Sequence, residues 1–141
     1  MKVNYDELLI VKSLNQYSLF SEKYRQIPGV FVFDNQKNQI TTEINSTCPW
    51  TMFNILIDTT LHLKRVENSK LYSEILSNFT LVKTIAHRKQ PDYYILCTWA
   101  KYTPKLTKSL FETINKQKQE NKLNVCHILL NVDLQESWDK K

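Results

Sequence analysis

The chain has 141 residues, of which 42% are hydrophobic and 11% aromatic. This length and composition suit one globular domain with a single core and exclude wholesale disorder. Lysine and arginine number 19 against 14 acidic residues, giving a net charge of +5 that favours acidic partners without requiring them.

The glycine and cysteine content excludes several kinds of site. Gly29 is the only glycine, so neither a phosphate-binding P-loop nor a dinucleotide fingerprint can be present. Cys48, Cys97 and Cys126 are widely spaced without a C-x-x-C pair, which indicates neither a disulfide framework nor a zinc site and favours a reducing intracellular compartment. No apolar run reaches the roughly 18 residues of a membrane span, so we expect no membrane association.

The acidic and histidine residues do not form a catalytic pattern. His62, His87 and His127 are too dispersed for a metal site. The best acid and base set, Asp58 with Glu43 and His87, belongs to no recognisable motif. We therefore predict a chain without catalytic residues, metal or cofactor.

The first half of the chain favours strands. Residues 1–24 carry apolar positions at helical spacing and are interpreted as an N-terminal arm or short helix. Residues 29–44 place β-branched and aromatic residues on either side of a polar turn, which predicts a hairpin. Apolar and polar residues alternate over 51–61, which predicts a third strand.

The second half contains the clearest local signals. Residues 69–82 fit either a helical face or a strand, and we interpret them as a fourth strand, leaving open a helical turn before it. Residues 93–102 are rich in strand formers and predict a fifth strand with both faces partly buried. Thr103 followed by Pro104 is typical of a helix start, and apolar spacing continues the helix to residue 119.

These elements predict a fold that is mainly β with helices. Five short strands followed by one helix favour a closed five-stranded barrel of the OB type with a C-terminal helix. The domain would span residues 25–121, including the helix over 104–119. Residues 122–141 would form a C-terminal extension that holds an extra strand or a second helix.

Four stretches carry a resemblance to a known family: 27–41, 53–61, 69–76 and 94–118. In order and spacing they resemble the TEN-type small subunit of the CST complex, the telomeric relative of replication protein A. The resemblance covers about two-thirds of the chain, from Tyr24 to Lys122. The chain departs from the family by lacking the glycines usual at OB strand bends and by carrying the C-terminal extension.

The resemblance implies a non-catalytic OB-fold protein in the nucleus, at chromosome ends. Its partners would be a larger STN-type OB subunit, with which it heterodimerises, and a third large OB subunit. The assembly would act on telomerase and bring in DNA polymerase alpha with primase. Single-stranded telomeric DNA would be bound mainly through the partners.

The resemblance also implies which residues meet the partner. The helix over 104–118 would be the partner helix, with contacts from Leu106, Leu110, Phe111 and Ile114 and from Tyr102 just before it. An alternative is that this apolar stripe simply packs on the chain's own strands, as helical stripes usually do.

A second functional hypothesis is a free-standing OB module that binds single-stranded DNA or RNA. Trp99 and Tyr94 could stack bases, and Lys101 and Lys105 could contact phosphates. The alternative for Trp99 is a place in the core, because the strand alternates. Salt dependence separates the two functions, since phosphate contacts weaken steeply with salt and an apolar interface does not.

Overall fold

The computed structural model describes residues 3, 5–25, 27–42, 52, 54–55, 63–67, 69–85, 90–120 and 124–134. The described strands are β1 (Glu7–Val11), β2 (Val30–Asp34), β3 (Gln39–Thr42), β4 (Leu63–Val66), β5 (Phe79–Thr84), β6 (Tyr93–Trp99) and β7 (Val125–Asn131). The described helices are α1 (Leu14–Lys23), α2 (Leu71–Leu76) and α3 (Pro104–Glu120). None of these helices has the length and apolar character needed to cross a membrane.

The seven strands form one open mixed sheet in the order β4-β3-β2-β6-β7-β1-β5. The fold is therefore mainly β with helices, as predicted. The prediction of a closed five-stranded OB barrel is wrong, because the sheet is open. In the described part of the chain, β4 and β5 lie at opposite ends of the sheet and do not pair. The sheet does not match a five-stranded barrel because β1 and β7, from the two terminal segments of the chain, lie within it next to β6 and β5.

Three neighbouring strands in this sheet run parallel. β7 pairs with β6 from Tyr93↔Val125 to Trp99↔Asn131 and with β1 from Glu7↔Ile128 to Ile10↔Asn131. All seven residues of β7 are buried, as is typical of a parallel strand covered on both faces. Parallel neighbours need a crossover connection, and α3 supplies it between β6 and β7.

Helices cover the two faces of the sheet separately. Phe20 of α1 packs in a cluster with Val11 and Ile128 on one face. Leu110 and Ile114 of α3 pack on the other face, in a cluster that contains Leu129 of β7. Because Ile128 and Leu129 are successive strand residues, their side chains point to opposite faces, and each face therefore has its own core.

The predicted hairpin is present as β2 and β3, which pair at Val32↔Ile40 and Phe33↔Gln39. Its turn is held by the Asp34 carboxylate, whose Oδ1 accepts hydrogen bonds from the backbone N–H groups of Gln36 and Asn38 at 2.9 Å each. Arg65 of β4 also contacts Asp34, at 2.9 Å from Oδ2. A local turn signal therefore located this element correctly.

Other predictions need correction. The helix after the fifth predicted strand is present as α3, but β7 follows it, so it is a crossover helix and not a C-terminal one. By contrast, the interpretation of 69–82 as a strand, with a helical turn left open before it, is confirmed, because helix α2 is followed there by strand β5. The strand predicted over 51–61 lies largely outside the described residues, and Met52 and Asn54 are helical.

Candidate binding surface at the carboxyl ends of the parallel strands

The parallel strands β6, β7 and β1 end at the same edge of the sheet. Three residues beyond the end of each strand, the chain exposes a large apolar side chain. The exposed fractions are 54% for Leu14, 58% for Tyr102 and 64% for Leu134. We call Leu14, Trp99, Lys101, Tyr102 and Leu134 the carboxyl-end surface. Ligands of open sheets with parallel strands generally bind at this edge.

The connections from β1 and β6 diverge at this edge, because α1 packs on one face of the sheet and α3 on the other. Two cavities lie there. One, of about 520 Å³, is lined by Leu8, Ile10, Trp99, Lys101, Tyr102, Asn131, Asp133 and Leu134. The other, of about 440 Å³, is lined by Trp99, Lys101, Pro104, Thr107, Lys108 and Phe111. Since both contain Trp99 and Lys101, they adjoin at these two residues.

Trp99, the last residue of β6, separates the two cavities. Its ring packs edge-on against Phe111 of α3, with the ring centroids 5.3 Å apart and the planes at 66°. The indole Nε1 is buried and has no hydrogen-bond acceptor among the described residues. The ring is therefore held mainly by packing, and its orientation is coupled to that of α3.

Backbone and side-chain hydrogen bonds tie the ends of β6 and β7 together. The Val132 N–H donates to the Trp99 carbonyl at 3.0 Å. The Asp133 carboxylate accepts from the Lys101 N–H at 2.8 Å and from the Asn131 side-chain amide at 2.8 Å. Asp133 thus fixes the loop after β6. Lys101 and Tyr102 are both exposed on this loop, and the Tyr102 hydroxyl forms a side-chain hydrogen bond with Tyr17 of α1.

The start of α3 adds positive charge to this surface. The Ala100 carbonyl accepts hydrogen bonds from the Thr107 hydroxyl at 2.8 Å and the Thr103 hydroxyl at 3.1 Å, which anchors the first helical turns to the end of β6. Lys105 and Lys108 are exposed on these turns. Together with Lys101 and the positive end of the helix dipole, they favour an anionic ligand.

The predicted partner residues fall into two groups. Leu110 and Ile114 are completely buried against the sheet, which is the arrangement that the core-packing alternative predicts. Leu106 and Tyr102 are exposed, and Phe111 is half-buried against Trp99. The surface available near α3 is therefore smaller than the predicted stripe and displaced toward the helix start.

The predicted nucleic-acid residues do not form one surface. Trp99, Lys101 and Lys105 lie at the carboxyl end of β6 or just beyond it. Tyr94 lies near the opposite end of the strand, where its ring contacts Tyr72 at a centroid distance of 5.5 Å. Its hydroxyl pKa is raised, chiefly by burial. Tyr94 therefore belongs to a separate aromatic cluster.

A charged cluster lies at the amino ends of the same parallel strands. One oxygen of the Asp6 carboxylate accepts a hydrogen bond from the His127 N–H at 2.7 Å and contacts the Lys118 ammonium group. The His127 Nε2 lies 3.0 Å from the Gln117 side-chain oxygen. The cluster joins β1, α3 and β7 in a largely buried position, which indicates a structural role.

Thiol chemistry does not fit the carboxyl-end surface. A helix start can activate a cysteine, but the first turn of α3 contains none. Cys97 and Cys126 are buried inside the sheet, and burial raises the pKa of both thiols, that of Cys126 to about 12. Neither thiol is therefore a nucleophile near neutral pH.

The buried cysteines lead to a labelling prediction. In the native chain at pH 8, iodoacetamide should modify the peptides that contain Cys97 and Cys126 only slowly, because both thiols are protonated and covered. In urea both should react at the rate of an ordinary thiol. Peptide mass spectrometry measures the two sites separately, and rapid native labelling of either would contradict this packing.

The raised pKa of the Cys126 thiol also predicts how the stability of the fold depends on pH. Between the ordinary value of 9.0 and about 12, the Cys126 thiol stays neutral in the folded chain while that of the unfolded chain ionises. Loss of the proton from the unfolded chain then favours the unfolded state. The free energy of unfolding should therefore fall as the pH rises through this window. Replacement of Cys126 by alanine should remove that part of the alkaline loss.

The carboxyl-end surface combines exposed apolar side chains with lysines, and the described residues contain no cluster of metal ligands. The acid and base set Asp58, Glu43 and His87 lies outside the described residues. Sequence reasoning missed Leu14 and Leu134, whose significance depends on where β1 and β7 end. In comparisons with known proteins, no family model, curated protein or solved structure matches the chain.

Proposed function

We propose that this chain is a non-catalytic protein-binding subunit whose partner covers the carboxyl-end surface. The observation that supports this most is the set Leu14, Tyr102 and Leu134, which follows three neighbouring strands at one sheet edge and is more than half exposed. Single exposed apolar residues are common, whereas several at one edge are typical of interaction sites.

The shape and chemistry of this surface favour a protein over a nucleic acid. Two of its three most exposed apolar side chains are leucines, which cannot stack on bases. The Trp99 ring is packed against Phe111, so Tyr102 is the main ring available for stacking. Binding of single strands usually uses several stacking rings along a basic groove. The lysines support nucleic-acid binding as the second candidate function.

The telomeric assembly is a narrower form of the proposal. Exposed Leu106 and Tyr102 fit a partner near the start of α3. The resemblance alone would make that partner a larger STN-type OB subunit in the nucleus. Because the open sheet lacks the barrel that the resemblance implies, protein binding is proposed here without depending on that partner's identity.

A paired variant tests the proposal. Tyr102→Asp combined with Leu134→Asp should reduce capture of the partner by about tenfold or more, since buried charges at an interface centre are costly. The measurement is affinity capture of the tagged chain from cells that express it, quantified by mass spectrometry. Circular dichroism should show that the variant remains folded, because both side chains are exposed in the chain.

The matched control is Leu81→Asp with Val82→Asp. These side chains are about as exposed as Tyr102 but lie on edge strand β5. We expect the control to retain the partner. Equal loss of the partner in both variants, or in neither, would overturn the assignment of the carboxyl-end surface.

A further inference from the structure

We infer that the partner segment bound at this surface is an extended acidic peptide that inserts an apolar side chain between Trp99 and the start of α3. The inference rests on the proposed function and specifies the chemistry of the partner. Three properties support it: an aromatic groove, an excess of lysines at its rim, and continuity with the second cavity.

The groove floor is apolar. Trp99, Pro104 and Phe111 line the cavity of about 440 Å³, which falls in the size range of ordinary ligand pockets. The edge-on contact of Trp99 with Phe111 leaves an angled aromatic wall. Such a wall packs well against one large apolar side chain, especially an aromatic one.

The groove rim is positively charged. Lys101 and Lys108 line it, and Lys105 is exposed on the same helical turns. Two carboxylates lie nearby: Asp133 accepts a hydrogen bond from the Lys101 N–H, and Glu112 lies 4.0 Å from Lys108 at the protein surface. The three lysines therefore exceed the nearby carboxylates by one positive charge. Exposed ammonium groups beside an apolar floor favour a peptide in which carboxylates flank an apolar residue.

The two cavities allow an extended segment. Both include Trp99 and Lys101, and the larger one continues to Leu134. A peptide rising by about 3.3 Å per residue could place its apolar residue on the aromatic floor and continue past Lys101 toward Leu134. Its carboxylates would then face lysines on one side and its backbone would cross the carboxyl-end surface.

The test uses short synthetic peptides and the full chain labelled with ¹⁵N. The acidic probe has a central phenylalanine flanked by glutamates; one matched peptide has lysines in place of the glutamates, and another has alanine in place of the phenylalanine. Oligothymidylate is the nucleic-acid probe. The indole N–H signal of Trp99, assigned by its loss in Trp99→Phe, reports on the groove.

The acidic phenylalanine peptide should shift the Trp99 signal at lower concentration than the matched peptides or oligothymidylate. Lys101→Glu with Lys108→Glu should weaken its binding by about tenfold, whereas Lys83→Glu on exposed strand β5 should not change it. Binding of the lysine peptide at equal strength, no shift with the acidic peptide, or preference for oligothymidylate would each overturn the inference.

The outcomes also separate this inference from the proposed function. If Tyr102→Asp with Leu134→Asp loses the partner but the acidic peptide does not shift Trp99, protein binding stands and the acidic peptide is wrong. If capture of the partner is insensitive to that variant, the proposed function fails independently of any peptide result.

Discussion

Replacement of Leu110 by alanine is expected to lower the free energy of unfolding by about 2 to 5 kcal/mol, the usual cost of a cavity in a packed core. Leu110 is 0% exposed and lies with Ile114 between α3 and the sheet. The matched substitution, Leu106→Ala on the same helix, should cost less than about 0.5 kcal/mol, because Leu106 is 46% exposed.

Urea unfolding followed by circular dichroism measures both variants against the unmodified chain. A small loss for Leu110→Ala together with a larger one for Leu106→Ala would mean that α3 presents the opposite face to the sheet. The expected result also explains why aspartate at Leu110 is unsuitable for testing an interface: it would unfold the chain, and partner loss would follow for the wrong reason.

Replacement of Asp6 by alanine is expected to lower the free energy of unfolding by about 2 to 4 kcal/mol. Without the Asp6 carboxylate, the partly buried Lys118 ammonium group would lose this ion-pair partner, and the His127 N–H would lose its hydrogen-bond acceptor. Breaking one side of a buried ion pair is costly because the remaining charge stays desolvated. The substitution would also loosen the contact between β1, α3 and β7.

Glu112→Ala is the matched control for Asp6→Ala. Glu112 also faces a lysine on α3, but both side chains are more than half exposed and 4.0 Å apart, so the expected cost is below about 1 kcal/mol. Both variants can be compared by urea unfolding. Similar losses from the two substitutions would contradict a structural role for the buried cluster.

Local chemistry in the sequence was enough to locate the hairpin and the main helix. Turn residues between two β-rich runs identified β2 and β3, where Asp34 binds the turn backbone. Thr103 and Pro104 identified the start of α3. These signals succeed because the interactions that form each element connect residues close together in the chain.

The strand β6 was predicted and an extra strand in the region of β7 was left open, but strand β1 and the parallel pairing of the three were not predicted, because that pairing joins distant parts of the chain. All of β7 is buried, so its residues do not alternate between apolar and polar and its pattern also fits a helix. β1 pairs with β7 more than a hundred residues later. Without this pairing, the five strands that are recognisable in the sequence favour a five-stranded barrel, which is why the predicted topology differs from the open sheet.

The candidate site was accessible from sequence only in part. Lys101, Tyr102 and Leu106 were named because they lie beside a recognisable strand end and helix start. Leu14 and Leu134 become neighbours of this region only when β1, β7 and β6 are adjacent. Leu110 and Ile114 were assigned to a partner because an apolar helix stripe does not reveal which of its members the sheet covers.

Site-specific photo-crosslinking tests the central claim most directly. A photoreactive phenylalanine analogue would replace Tyr102 in one sample and Leu81, similarly exposed on β5, in another. After irradiation in the cells that express the chain, we expect one dominant protein adduct from position 102 and none of that protein from position 81. Crosslinks to nucleic acid at position 102, or the same protein adduct from both positions, would contradict protein binding at the carboxyl-end surface.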